Sequence, residues 1–113
     1  RSVDILQPDV MWCGGLTELL RISAMAAAND IPVVPHGSGA YSYHFVITQP
    51  HCPFCEYLNT SKDCQSFPPV FGKMFENETL PQNGKIKLTD DPGWGLKLNR
   101  NGLKLNRVFA STE

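Results

Sequence analysis

The sequence predicts an α/β fold in which short strands alternate with helices and build a parallel sheet. Three short apolar segments, residues 5–7, 31–35 and 54–58, are candidate strands. Between the first two, apolar residues at helical spacing predict a helix over residues 17–28. This alternation is typical of βαβ units, whose crossovers are nearly always right-handed. We therefore expect the carboxyl ends of the strands to lie on one face of the sheet, where such folds place their chemistry.

Local signals set the limits of these elements. The first strand is expected to end at Pro8, and the helix to begin at Gly15 or Thr17, either of which can occupy its N-cap. The helix must end before Pro32, which lacks the N–H that a continuing helix needs. Residues 40–48 combine tyrosines with β-branched residues, so they fit either a second helix or a strand.

From residue 61 onward the sequence predicts a C-terminal tail of turns and short strands. Residues 85–89 alternate polar and apolar side chains, as a half-exposed strand does. Residues 95–100 recur letter for letter as residues 102–107, a repeat far too short for a solenoid. We interpret it as a local duplication without a function of its own.

Length and composition exclude several classes of protein. The chain has 113 residues, enough for one domain at most, and 42% hydrophobic residues, enough for a packed core. A net charge of −1 without a Lys/Arg run argues against nucleic-acid binding through a basic face. No apolar stretch approaches the roughly 20 residues of a membrane span. The chain begins at Arg1 without a signal-type apolar block, so we expect a cytoplasmic origin or a trimmed chain.

Three ionisable residues occupy positions where a parallel α/β protein places its catalytic groups. Asp9 follows the first strand, His36 follows the second, and Glu56 lies in the third. Neighbouring strands lie about 4.8 Å apart, so side chains at adjacent strand ends can touch. An aspartate beside a histidine fixes the tautomer of the imidazole and raises its basicity, which produces a general acid–base pair. The alternative is structural: a turn aspartate, a hydrogen-bonded histidine and a solvated glutamate.

The order and spacing of several motifs resemble the enolase superfamily, and within it the mandelate racemase subgroup. The resemblance runs from residue 1 to about residue 100, and the segments that carry it are residues 3–10 (VDILQPDV), 13–18 (CGGLTE), 33–38 (VVPHGS), 41–48 (YSYHFVIT), 53–58 (PFCEYL), 83–85 (NGK) and 92–95 (PGWG). It implies the C-terminal portion of a (β/α) TIM-type barrel, with about the last three β/α units in residues 1–60. Residues 61–113 would form a tail that packs on the capping domain of the full enzyme.

The resemblance also implies a role for each candidate residue. Asp9 matches the aspartate at the end of the sixth barrel strand, and His36 matches its histidine partner at the end of the seventh. In the acid-sugar dehydratases of this subgroup, that histidine removes the proton α to the substrate carboxylate and helps to expel the 3-hydroxyl. The product is a 2-keto-3-deoxy acid. Glu56 matches the eighth-strand carboxylate that hydrogen-bonds the substrate carboxylate as it becomes an enediolate.

Members of this superfamily use Mg²⁺ to stabilise that enediolate. The matching ligands lie on the third to fifth strands, so we expect them outside this chain; Asp90 and Asp91 are interpreted as solvated turn residues. The expectation is a C-terminal fragment of a dehydratase that carries half of an active site and is inactive alone. A sugar acid is the expected substrate, and the full-length enzyme is expected to form a homo-oligomer.

Two other classes of function remain open from the residues. The motif Cys52-Pro53-Phe54-Cys55 is compatible with a glutaredoxin-like thiol oxidoreductase, although no amphipathic helix follows it. A zinc site formed by the same cysteines with His51 and Cys64 would lack a second paired ligand. The remaining alternative is a non-catalytic barrel remnant, because three of eight barrel units leave two open sheet edges.

Overall fold

The computed structural model describes residues 2–37 and 39–101, which contain two helices and a set of extended segments. Helix α1 spans Leu16–Ala27 and helix α2 spans Ala40–Thr48. Within these described residues the extended segments pair through isolated bridges, and none forms a longer ladder. The second copy of the duplicated hexapeptide, residues 102–107, lies outside them.

Two extended segments lie side by side and parallel, as the βαβ pattern predicts. Leu6 pairs with Val33, and Asp9 pairs with His36. The Leu6 N–H donates to the Pro32 carbonyl at 3.0 Å, and the His36 N–H donates to the Pro8 carbonyl at the same distance. Residues 16–27 between them form a helix, so the first two strands and the crossover were correctly predicted, although each strand is reduced to isolated bridges.

The third predicted strand, residues 54–58, is wrong as a strand. The chain does approach the second segment, because the Val33 N–H donates to the His51 carbonyl at 3.3 Å. Pro53 cannot continue this backbone pairing, because proline has no N–H to donate to a neighbouring strand. Within the part of the chain that the structure describes, residues 54–58 form no bridge and no other regular element.

Helix α1 covers the paired segments with its apolar face. Leu19, Ser23 and Ala26 are buried on that face, and Leu19 and Ala26 belong to the core cluster with Val10, Val33 and Phe45. Gly15 is the N-cap residue at φ 92°, a conformation that glycine adopts without strain, whereas Thr17 lies inside the helix. The helix ends where Asp30 takes a positive φ and the Ile31 N–H returns to the Ala26 carbonyl.

Helix α2 resolves the ambiguity of residues 40–48 in favour of a helix. Its buried residues Ala40, Ser42, Tyr43 and Phe45 do not follow one narrow face, which explains why the sequence lacks a clear helical stripe. Neither helix among the described residues has the length and apolar character that crossing a membrane requires.

The tail folds back onto the first 60 residues. Phe75 pairs with Leu98 and Gln82 with Lys85, both antiparallel, so the tail strands predicted here, residues 85–89 included, shrink to isolated bridges. The tail also touches α2: the Tyr41 and Phe71 ring centroids lie 6.4 Å apart, and those of His44 and Trp94 lie 5.6 Å apart.

Candidate functional site

Asp9 and His36 lie at the same end of the two parallel segments. Their backbones form a parallel bridge, which follows from the βαβ order because the crossover helix returns the chain in the same direction. Each is the residue at which its segment turns away: residues 10–14 form a turn after Asp9, and Gly37 takes φ 85° after His36. Both side chains therefore lie near the carboxyl ends of their segments.

Glu56 is the acidic residue that contacts the imidazole. His36 Nδ1 lies 3.0 Å from Glu56 Oε2, in a pair that is partly open to solvent. The Gly37 N–H donates to the same Oε2 at 2.5 Å. Glu56 Oε2 thus accepts the Gly37 N–H and also contacts Nδ1 of His36. These two contacts fix the imidazole relative to the backbone that follows it.

Asp9 occupies a different position from the one we expected. Its Oδ1 accepts the N–H of Met11 at 2.7 Å, and a Cβ atom at Gly37 would lie 3.7 Å from its Oδ2. Asp9 is therefore beside Gly37, while Glu56 holds the ring of His36. A carboxylate that follows proline readily folds onto the N–H two residues later, and this local turn competes with an ion pair to the histidine.

Tyr41, Phe71 and Glu78 join the site although sequence reasoning gave them no role. Burial, followed by the negative charges of Asp9 and Glu78, raises the pKa of the Tyr41 hydroxyl above its usual value. The carboxylate of Glu78 accepts the N–H groups of Val70 and Phe71 at 2.6 and 3.1 Å. No pattern in the sequence predicts the contact between Tyr41 and Phe71, because it joins residues 30 positions apart.

The thiol pKa values of the Cys52-Pro53-Phe54-Cys55 motif shift in the opposite direction from those of a redox-active pair. Burial raises the pKa of both the Cys52 and the Cys55 thiol, whereas a thiol oxidoreductase needs a lowered value. Both cysteines are free, and the motif follows α2 instead of opening a helix. The geometry does not support the glutaredoxin-like reading.

The described residues do not provide a metal site. No group of three His, Cys, Asp or Glu side chains among residues 2–37 and 39–101 is arranged to hold an ion. The same finding argues against the zinc site, since its four proposed ligands all belong to the described residues: His51, Cys52, Cys55 and Cys64. It also means that Asp9, His36 and Glu56 do not form a magnesium site.

Comparison with known proteins agrees with the resemblance seen in the motifs. The family model described as enolase C-terminal domain-like matches residues 1–102. An L-rhamnonate dehydratase from Saccharopolyspora erythraea is 49% identical over 96 residues, which is 85% of this chain and 25% of that protein. The chain spans about a quarter of the length of the curated relatives it matches.

Solved structures give the same result for the fold. The crystal structure of L-rhamnonate dehydratase from Gibberella zeae is 57% identical with a TM-score of 0.82, covering 88% of this chain and 26% of that one. The rhamnonate dehydratase from the same organism complexed with Mg matches at 57% identity with a TM-score of 0.83, covering 89% of this chain and 25% of that one. This chain therefore belongs to the enolase C-terminal domain-like family.

Proposed function

We propose that this chain acts as the C-terminal portion of a Mg²⁺-dependent acid-sugar dehydratase, a hydro-lyase that converts L-rhamnonate into a 2-keto-3-deoxy acid. The observation that carries the proposal is the convergence of His36 and Gly37 on one oxygen of Glu56, beside Asp9. The 49% and 57% identity to L-rhamnonate dehydratases supports this substrate.

The proposal gives the two ring nitrogens of His36 different roles. Nδ1 is paired with Glu56, and the hydrogen bond at one nitrogen determines the protonation of the other. Nε2 is therefore the nitrogen that exchanges a proton with the substrate. Because His36 is half-exposed, a bound sugar acid can reach it from the rim.

The proposed reaction needs one acid–base group that acts twice. His36 Nε2 takes the proton from the carbon next to the substrate carboxylate, and the electron pair moves into an enediolate. His36 then returns a proton to the hydroxyl at carbon 3, so the C–O bond breaks and water leaves. The resulting enol tautomerises to the 2-keto-3-deoxy acid. In its protonated form Glu56 donates the O–H of its second oxygen, Oε1, to the substrate carboxylate, while Oε2 keeps the Gly37 N–H. Asp9 adds negative charge near the imidazolium.

Magnesium would supply positive charge to the enediolate oxygens when bound. The described residues do not form a site for it, so the proposal places its ligands in residues outside this chain. The roles assigned above to His36 and Glu56 are proton transfers or hydrogen bonds, and the role of Asp9 is electrostatic.

A hybrid enzyme tests the proposal. The chain replaces the matching quarter of the Gibberella zeae L-rhamnonate dehydratase, so that the remainder of that enzyme completes the protein. We expect the hybrid to dehydrate L-rhamnonate in the presence of Mg²⁺. His36→Asn should abolish turnover, and Asp9→Asn should reduce it by about 10²–10⁴-fold, the range typical of acid–base groups.

His44→Asn is the matched control. His44 lies on α2 and stacks against Trp94, so its loss should leave turnover close to that of the parent hybrid. A parent hybrid that folds but has no dehydratase activity would contradict the proposal and favour the non-catalytic remnant. Normal turnover by His36→Asn would refute the role of the histidine.

A further inference from the structure

The tail reaches the candidate site through one aromatic side chain. Phe71 packs on the loop that follows His36: a Cβ atom at Gly39 would lie 3.1 Å from Phe71 Cε2 and 2.9 Å from Tyr41 Cε1. Side chains rarely approach so closely, so the two rings fill the space above Gly39. Gly39 is therefore covered by one ring from α2 and one from the tail.

The position of Phe71 is itself fixed at two points. Its N–H and that of Val70 both donate to the carboxylate of Glu78, which ties the backbone of the tail at this point. Its ring meets the ring of Phe75 edge to face, with centroids 5.8 Å apart, and Phe75 is in turn bridged to Leu98. Phe71 thus packs against Gly39 from a segment of the tail that the contacts with Glu78 and Phe75 hold in place.

The same loop carries the hydrogen bond that organises the acid–base pair. Gly37 donates its N–H to Glu56 Oε2, and that oxygen holds Nδ1 of His36. Gly37 and Gly39 have φ of 85° and 156°, values that glycine adopts easily, so these two residues have little conformational preference of their own. Contacts from outside must therefore select the conformation in which Gly37 and His36 converge on Glu56.

We propose that Phe71 is a positioning residue for the acid–base pair His36–Glu56, acting through its contacts with Gly39 and Tyr41. The inference rests on the proposed function for its kinetic consequence. It gives the tail a role in the reaction. The raised pKa of Tyr41 fits this arrangement, because burial, followed by the negative charges of Asp9 and Glu78, raises it.

The kinetic test uses the hybrid enzyme. Phe71→Ala should lower kcat by about 10–100-fold, the cost of misplacing a catalytic group by about 1 Å, with KM changed by less than about twofold because substrate contacts are kept. Phe71→Tyr keeps the ring and should restore kcat. Trp94→Ala is the control: it removes another tail aromatic ring that contacts α2, at His44, and its removal should leave kcat unchanged.

A second measurement does not require activity. In the hybrid labelled with ¹⁵N-glycine, the amide proton of Gly37 should move upfield and exchange faster in Phe71→Ala, because its hydrogen bond to Glu56 is weakened. Trp94→Ala should leave that resonance in place. An unchanged Gly37 amide in a folded Phe71→Ala protein overturns the inference, whether or not the hybrid turns over.

The outcomes separate the two proposals. If the parent hybrid is active and His36→Asn is not, normal kcat in Phe71→Ala refutes the positioning role alone. If the parent hybrid is inactive, the proposed function fails, and the Gly37 amide still decides whether Phe71 holds the loop.

Discussion

At the scale of single residues, Ser23 shows how a buried hydroxyl determines the protonation of a histidine. Ser23 is 0% exposed, and its Oγ lies 3.1 Å from Gln49 Oε1 and 3.0 Å from His51 Nε2. Gln49 Nε2 donates to Thr48 Oγ1, which orients the amide so that Oε1 accepts from Ser23. The serine has only one hydroxyl proton, so His51 Nε2 must carry a proton and donate it to Ser23.

This arrangement predicts that Ser23 matters for stability. Ser23→Ala leaves the Gln49 oxygen and the His51 N–H without their partner, so we expect the free energy of unfolding of the hybrid enzyme to fall by about 1–3 kcal/mol. Thermal or urea unfolding measures the loss. Ser66→Ala removes an exposed hydroxyl that bonds Asp63, and it should change stability by less than about 0.5 kcal/mol. Equal stability of the two variants would show that the buried cluster contributes nothing.

At the scale of elements, the sequence predicts best where a local signal and a buried face agree. Helix α1 combines a glycine start, helical spacing and a proline stop, and the structure differs from the prediction by one residue at each end. The predicted strands were less accurate, because a strand depends on a partner that the sequence does not specify. Residues 54–58 have the composition of a strand but make no bridge among the described residues.

The site was predictable only in part, for the same reason. The positions of Asp9 and His36 at paired strand ends follow from the order of the elements. The carboxylate that contacts the imidazole could not be chosen from the sequence, because Asp9 and Glu56 are both within reach and a local turn at Asp9 decides the outcome. Phe71 was missed because its contact with Gly39 joins residues 32 positions apart.

The segment of residues 49–55 yields a prediction about thiol reactivity. The raised pKa of Cys52 and Cys55 means that less thiolate is present at a given pH, and the thiolate is the nucleophile. In the folded hybrid enzyme, iodoacetamide at pH 7 should therefore alkylate the exposed Cys64 faster than either. The alkylation rates at Cys52 and Cys55 should also increase only at a higher pH than the rate of an ordinary thiol, whose pKa is about 8.5.

Peptide mapping by mass spectrometry measures these rates, and the urea-unfolded protein is the control in which the three cysteines should react alike. Faster alkylation of Cys52 or Cys55 than of Cys64 in the folded protein would contradict the prediction and revive the thiol oxidoreductase.

At the scale of the whole molecule, the described residues leave several large apolar side chains open to water. Trp12 is 87% exposed, Phe54 58% and Ile5 46%.

Ile5 adjoins the bridged residue Leu6, and Trp12 lies in the turn that follows Asp9. In an enzyme built on the proposed plan, further strands would cover Ile5 and Phe54, because large exposed apolar side chains are unfavourable in water. Val33, by contrast, is already buried in the core cluster, so the core between the helices and the first two segments is present in the chain itself. The structure combines a small core with several exposed large apolar side chains.

The purified 113-residue chain should therefore have no dehydratase activity and should aggregate or unfold without strong cooperativity. Since the described residues form no metal site, millimolar Mg²⁺ should not raise its unfolding temperature, and L-rhamnonate with Mg²⁺ should give no turnover above background. The hybrid enzyme is the matched control, because it carries the same residues under the cover of the rest of the protein, and its transition should be cooperative. Turnover by the chain alone, or a cooperative transition that Mg²⁺ shifts upward, would show that these residues contain a complete active site, and the assignment of half of it to another part of the protein would be wrong.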